Sequence, residues 1–113
     1  MKKILIAAGC VLSLNVSAVE TEVQFENDQV RVLNIKIAAH EEIGEHRDDF
    51  PQVVMSIKGG TITRLEADGS KKEVHFPKGE AVYQEADPIG QTHKSINATC
   101  KPIELFIVQL KKG

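Results

Sequence analysis

Apolar and polar residues alternate in short runs along most of the chain, with the period of two that is typical of β-strands. In residues 30–37, for example, Asn34 and Lys36 are the polar alternates between apolar side chains. No long stretch has the spacing of a helix, so we predict an all-β chain. Strands are predicted at residues 30–37, 53–57, 61–65, 71–76, 81–83 and 103–110.

Turn residues separate these runs. Asp68-Gly69 lies between two of them and is a strong hairpin signal, and Gly59-Gly60 and Pro77-Lys78-Gly79 mark further turns. Residues 103–110 are apolar on both faces, which is typical of a central strand. Closely spaced turns in an all-β chain predict a sandwich or barrel.

The beginning of the chain has the pattern of a secretory signal peptide. Lys2 and Lys3 precede an apolar run over residues 4–14, and Val16-Ser17-Ala18 supplies the small residues of a cleavage site. A rival interpretation is lipoprotein processing at Cys10, although the apolar stretch before it is shorter than the roughly 7 residues expected. We therefore expect residues 1–18 to be removed and residues 19–113 to form one periplasmic or secreted domain.

The charge of the chain bears on its binding partners, and its cysteine content bears on its redox chemistry. The net charge is −2, and removal of residues 1–18, which contain two lysines and no acids, makes it −4. This mild acidity, without a basic cluster, argues against nucleic-acid binding. No membrane span is expected in the mature chain. Cys100 is then the only cysteine, and we expect it to be a small buried residue rather than a reactive thiol.

One motif combines turn residues with a candidate metal ligand. Pro88, Gly90, His93 and Asn97 follow the spacing P-x-G-x2-H-x3-N, in which a tight turn leads into a strand that begins at the histidine. This pattern resembles the second motif of the cupin family, although Gly79 precedes Pro88 by more positions than that motif has. The resemblance implies a double-stranded β-helix, a jelly-roll barrel, over most of the chain.

An upstream segment resembles the first cupin motif in spacing but departs from it in chemistry. His46 occupies the place of the first histidine, whereas Asp48 replaces the second histidine and Gln52 replaces the glutamate. His40 stands at the leading glycine position, and Gly59 closes the pattern.

The resemblance implies a metal site inside the barrel. His46 and Asp48 lie two residues apart, so on an extended strand they point to the same side. In the cupin barrel His93 faces that side from the opposing sheet. Two imidazoles and one carboxylate resemble the triad that binds non-haem Fe(II), and Zn or Mn suits the same donors, with Gln52 as a weak fourth donor. The alternative is that residues 46–49 form a polar loop and the metal site is lost.

Two function classes remain open from the sequence. In the first, a divalent metal ion at His46, Asp48 and His93 acts on a small organic substrate. In the second, the barrel binds a small molecule or a partner without metal and without turnover. One of Tyr83 and Gln84 is expected to face inward and line a pocket. A homodimer that uses the strand at residues 103–110 is a further expectation of the resemblance.

Overall fold

The structure, a computed structural model, describes residues 19–111, so the predicted signal peptide at 1–18 lies outside the described residues. The described part is all-β, which confirms the predicted fold class. Its nine strands are β1 Glu20–Glu26, β2 Val30–Ile37, β3 Glu42–His46, β4 Gln52–Lys58, β5 Gly60–Glu66, β6 Lys71–Phe76, β7 Ala81–Gln84, β8 His93–Ile96 and β9 Ile103–Leu110.

The strands form two antiparallel sheets of a jelly-roll barrel. The larger sheet has the order β1-β2-β9-β4-β7, and the smaller sheet has the order β3-β8-β5-β6. Neighbouring strands within a sheet are therefore mostly distant in sequence, as connections that cross between two sheets require. Within residues 19–111 no helix is long and apolar enough to cross a membrane.

The core lies between the inner faces of the two sheets. Strand β9 is the central strand of the larger sheet, as its apolar sequence predicted, and its inward side chains Ile103, Leu105 and Ile107 are buried. Each large apolar side chain removed from water contributes about 1.5–3 kcal/mol. The buried apolar residues are Leu33, Ile37, Val54, Ile62, Phe76, Ile103, Leu105 and Ile107.

The predicted hairpin between β5 and β6 is confirmed. Gly69 has a φ of 92°, which a residue with a Cβ rarely adopts, and the Asp68 carboxylate accepts hydrogen bonds from the Ser70 backbone and hydroxyl. The Asp-Gly pair thus fixes the register in which Gly60 pairs with Phe76.

Two strands were not predicted, and the expected burial of one cysteine is wrong. Strand β1 was missed although Thr21, Val23 and Phe25 alternate with polar residues in its sequence; it is exposed along its length and lies at the edge of the larger sheet. Strand β3 is short and mostly polar. The expectation that Cys100 is buried is wrong, because Cys100 lies exposed in the turn before β9.

Candidate metal centre

The two motif histidines lie side by side in the smaller sheet. His46 ends β3, His93 begins β8, and the two residues are paired across the strands. Their rings are 4.4 Å apart between centroids. The expectation that His93 faces His46 from the opposing sheet is therefore wrong. The two motifs meet because β3 pairs with β8, and the spacing of residues within each motif did not reveal this pairing.

Asp48 completes a cluster with these histidines. It lies just beyond the end of β3, and its Oδ1 and Oδ2 are 3.7 Å from Nε2 of His46 and Nε2 of His93, respectively. One ligand atom from each of the three residues lies within 4.8 Å of the others. The carboxylate is thus placed between the two imidazoles at a distance too long for ordinary hydrogen bonds.

The outer nitrogen of each ring is directed at an acceptor. Nδ1 of His46 lies 2.7 Å from the carbonyl oxygen of Gly44, which only accepts, so Nδ1 carries the proton. Nδ1 of His93 lies 3.1 Å from Oδ2 of Asp87, although the alignment falls short of a good hydrogen bond. With its proton on Nδ1, His46 presents the lone pair of Nε2 toward Asp48, and Nε2 of His93 faces the same carboxylate.

Asp87 is a functional candidate that sequence reasoning missed. It is 6% exposed and accepts a hydrogen bond of 2.6 Å from Nη2 of Arg64 and one of 2.8 Å from the backbone N–H of Asp48. Its own N–H donates to the carbonyl oxygen of Asp48 at 2.9 Å. Asp87 therefore connects the loop that carries Asp48 to the ring of His93.

A second contact ties the same two loops together. Nε of Arg47 donates to the carbonyl oxygen of Pro88 at 3.0 Å, and its Nη2 donates to that of Asp87 at 2.8 Å. Arg47 also forms an ion pair with Asp49. The loop after β3 is consequently anchored to the loop before β8, and the positions of Asp48 and His93 are coupled.

The surroundings of His93 favour its neutral form. Burial lowers the pKa of His93, and the neighbouring Arg64 and His46 lower it further, against the opposing effect of Asp48 and Asp87. Burial by itself raises the pKa of Asp87, but the hydrogen bonds from Arg64 and Asp48 outweigh this and hold that pKa below its ordinary value. A neutral imidazole next to an ionised carboxylate is the state in which histidine binds a metal.

Gln52 and Gln84 lie on the opposite wall, in the larger sheet. Gln52 begins β4 and is 6% exposed, and its Nε2 donates to Oε1 of Gln84 on β7 at 3.0 Å. Both residues line the cavity. Tyr83 is 55% exposed and lies outside the cavity lining, on the outer face of the sheet. Of the pair Tyr83 and Gln84, the structure therefore places only Gln84 inside.

The cluster borders a cavity of about 220 Å³ between the sheets. Most of its wall is apolar and formed by core residues such as Leu33 and Leu105. Its polar side chains are Thr21, His46, Asp48, Gln52, Arg64, Gln84, His93, Ser95 and Gln109. An apolar chamber with convergent polar groups is the usual form of a small-molecule site.

Asn97, the last residue of the second motif, is structural. It is completely buried, and its Nδ2 lies within hydrogen-bond distance of the carbonyl oxygens of Ile37, Ala38 and Lys101. Its Oδ1 accepts from Thr99. Asn97 thus supports the turn that leads from β8 toward β9 and does not reach the cluster.

The donor set fits a divalent cation. Two ring nitrogens with lone pairs and a carboxylate face one another, so their mutual repulsion is relieved only by a cation or a proton. Two ligands of one ion bound at about 2.1 Å are at most about 4.2 Å apart. The 3.7 Å distances from Asp48 to each histidine already meet that requirement. Two histidines and one carboxylate suit Fe(II), and Mn or Zn also accepts these donors.

Comparison with known proteins gives the fold. No family model matches the sequence, and no curated protein matches it. Solved structures do. A cupin domain from Bordetella pertussis Tohama I is similar with a TM-score of 0.74 and 19% identity, over 88% of this chain and 100% of that one.

Two other solved structures agree with this fold. A conserved protein with a double-stranded β-helix domain from Klebsiella pneumoniae has a TM-score of 0.63 and 18% identity, over 98% of this chain and 91% of that one. An RmlC-like cupin family protein from Methanocaldococcus jannaschii has a TM-score of 0.62 and 18% identity, over 88% and 85%. At these identities the likeness concerns the fold alone: the chain has the double-stranded β-helix fold of cupin domains.

Proposed function

We propose that the protein binds one divalent metal ion through His46, Asp48 and His93 and receives a small organic molecule in the cavity beside it. The observation that carries this proposal is the convergence of two Nε2 atoms on the Asp48 carboxylate, each at 3.7 Å. Each ring is turned outward at Nδ1, toward Gly44 or Asp87. Gln52 is a weaker donor, since its amide is neutral and it lies on the opposite wall, in the larger sheet.

A divalent ion at this cluster supplies a Lewis-acid centre for an oxygen atom of a bound substrate. The residues of the chain have separate tasks around it. Asp87 keeps the His93 ring turned so that Nε2 faces Asp48. The apolar walls exclude water from the inner end of the cavity, which strengthens the electrostatic interactions at its polar end.

The first test is elemental analysis of protein purified from the periplasm without chelator, beside the His46→Ala and His93→Ala variants. We expect near-stoichiometric Fe, Mn or Zn in the parent and its loss in both variants. His75→Ala is the matched control, because His75 is an exposed strand histidine that contacts Thr61. Unchanged metal content in the two cluster variants would disprove the assignment.

A second readout does not depend on activity. An ion that binds the folded chain stabilises it by mass action, by about 2.7 kcal/mol at 100 times its Kd. Addition of the metal should therefore raise the Tm of the parent and the His75→Ala variant and leave those of His46→Ala and His93→Ala unchanged. A folded parent that contains no metal and shows no Tm shift would identify the alternative, a cupin barrel that binds its ligand without metal.

We infer that the chain is exported, on the strength of residues 1–18 alone. Mass spectrometry of periplasmic protein should give a mature chain that begins at Val19. A chain that retains Lys2 and Lys3 in the cytoplasm would overturn this inference, and a chain that begins at Cys10 with a lipid would favour the lipoprotein interpretation.

We further propose a homodimer through the outer face of the larger sheet. One registered row crosses all five strands there, and it is apolar throughout: Tyr83, Val53, Val108, Val32 and Phe25. Its two ends, Tyr83 and Phe25, are 55% and 54% exposed. An exposed apolar face of this kind is typical of protein contacts. Sedimentation velocity should show a dimer of the parent and a monomer of Tyr83→Lys; a monomeric parent would refute the proposal.

A further inference from the structure

The cavity wall opposite the two histidines contains a row of three glutamines. Gln52 on β4 pairs in register with Gln84 on β7 and with Gln109 on β9. Residues directly opposite each other on antiparallel strands place their side chains on the same face, about 4.5–5.5 Å apart between Cβ atoms. All three line the cavity, so their amides form a continuous neutral wall, which we call the glutamine row.

The glutamine row has hydrogen-bonding capacity that the described residues do not use. Nε2 of Gln52 donates to Oε1 of Gln84 at 3.0 Å. Oε1 of Gln109 is buried and has no hydrogen-bond partner within residues 19–111. Buried amide groups are normally paired with protein, water or a ligand, and an unpaired one is costly. The free amide end of Gln109 therefore indicates a ligand group or a water molecule at this wall.

The charges around the row favour a neutral ligand. The nearest cation that lines the cavity, Arg64, is already engaged by Asp87 and by Glu66 at 2.6 Å each. Asp48 projects from the facing wall. In metal-free protein a carboxylate in the cavity would meet the charge of Asp48, and residues 19–111 place no free Lys or Arg side chain on the cavity wall to offset it. An amide wall, by contrast, offers a donor and an acceptor side by side to a neutral group with the complementary pair.

The dimensions and the apolar walls limit the rest of the ligand. A cavity of about 150 Å³ lined by apolar side chains holds benzene, and this cavity measures about 220 Å³. The wall below the row is formed by Val54, Leu105 and Ile107, which are all buried. The space therefore suits one ring with a small polar substituent.

We propose that the glutamine row recognises the uncharged, carboxamide-like head group of a one-ring ligand whose ring lies against the apolar wall. This inference rests on the proposed function in one respect, that the head group lies beside the metal cluster. It gives Gln52 a different task from the weak metal donor suggested by the family spacing. Gln109, which no sequence motif marks, becomes a specificity-determining residue.

The test compares three one-ring probes, benzamide, benzoate and toluene, bound to the full mature protein and followed by NMR titration. We expect benzamide to bind about tenfold more tightly than toluene, the factor that one or two net hydrogen bonds provide. In chelator-treated protein, where no metal ion offsets Asp48, benzoate should bind more weakly than benzamide. Gln109→Leu should reduce the preference for benzamide over toluene by about tenfold and keep toluene binding, which also shows that the variant is folded.

Gln24→Leu is the matched control, since Gln24 is an exposed glutamine on β1 and should leave all three affinities unchanged. Equal binding of benzamide and toluene by the parent would show that the row holds only water and would overturn the proposal. Absence of benzamide binding up to its solubility limit, or an unchanged preference in Gln109→Leu, would overturn it as well.

Chelator-treated and metal-loaded samples separate this inference from the proposed function. A preference for benzamide in both samples, together with absence of metal from protein as purified, would support the glutamine row and contradict the metal proposal. Stoichiometric metal without any preference for benzamide would do the reverse.

Discussion

The two segments that form the candidate site differ in how they hold their histidines. His93 is 3% exposed, and its ring lies against the buried carboxylate of Asp87. The side chain of His46 is 30% exposed, and its ring is fixed by the backbone carbonyl of Gly44. His93 is thus part of the packed interior, whereas His46 lies at the partly exposed edge of the cavity.

At Asp48 this difference coincides with a departure from the cupin pattern, whereas Gln52, which departs from it as well, is buried. The segment at residues 87–97 matches the second motif from Pro88 onward; its His93 and Asn97 are buried, and Asn97 is engaged in hydrogen bonds through both ends of its amide. The segment at residues 46–52 departs from the first motif, and Asp48 there is about a quarter exposed. A partly exposed donor such as Asp48 can be exchanged for another at little cost to the fold, whereas a buried, fully hydrogen-bonded side chain such as Asn97 cannot.

The largest expected effect is that of Asp87→Ala. This change leaves Nη2 of Arg64 and the Asp48 N–H without their acceptor, although Nε of Arg64 keeps Glu66, and breaking such a buried pair costs about 3 kcal/mol of unfolding free energy. Urea denaturation measures the loss. Asp49→Ala is the matched control, because Asp49 lies in the same loop and has a side chain that is 63% exposed, so its removal should cost less than about 0.5 kcal/mol. Equal losses in the two variants would contradict the comparison between buried and rim positions.

A smaller effect separates the two histidines. His93→Gln should lower the free energy of unfolding by about 1–2 kcal/mol, since a buried ring is lost and Asp87 loses a neighbour. His46→Gln should change it by less than about 0.5 kcal/mol. Both variants should lose the metal, as measured by elemental analysis. If His46→Gln destabilises the chain as much as His93→Gln, the two segments do not differ in the way described.

The pH dependence of stability should come from the buried segment. The pKa of His93 is lowered below its ordinary 6.5, so below that pH the unfolded chain takes up a proton that the folded chain does not. The free energy of unfolding therefore falls as the pH drops below 6.5 and levels off below the folded pKa, with a slope of at most about 1.4 kcal/mol per pH unit. Asp87, whose pKa is also lowered, adds a further loss below its ordinary 3.8.

Urea denaturation of metal-free protein at about pH 7.5 and about pH 5.5 measures this slope. His93→Gln should flatten it over that interval, because the titrating group is removed. A parent that is equally stable at the two pH values, or a slope that persists in His93→Gln, would show that other groups determine the acid sensitivity.

The smallest effect on stability is expected for Asp48→Asn. Asp48 is partly exposed, and its backbone contacts with Asp87 are kept in the variant, so the free energy of unfolding should change by less than about 0.5 kcal/mol. The metal should nevertheless be lost, because the anionic donor is removed. Elemental analysis and urea denaturation of the same sample separate these outcomes, and retention of metal would exclude Asp48 as a ligand.

The sequence by itself determined the features that depend on neighbours in the chain. Period-two alternation predicted strands β2, β4, β5, β6, β7 and β9, and the Asp68-Gly69 pair predicted the hairpin that joins β5 and β6. The two-face apolar pattern of residues 103–110 predicted a central strand, and β9 is the middle strand of the larger sheet. The resemblance to the two cupin motifs also singled out His46, Asp48 and His93, which lie together in the fold.

Only the tertiary structure decided what lies across from each of these residues. Pairing of β3 with β8 placed His46 beside His93 in one sheet, and pairing of β4 with β9 placed Gln109 beside Gln52. Asp87 was invisible in the sequence because its partners, Arg64 and Asp48, are distant in the chain and are brought together by strand order. Local patterns follow from backbone and side-chain preferences of consecutive residues, whereas register between distant strands follows from the packing of the whole barrel.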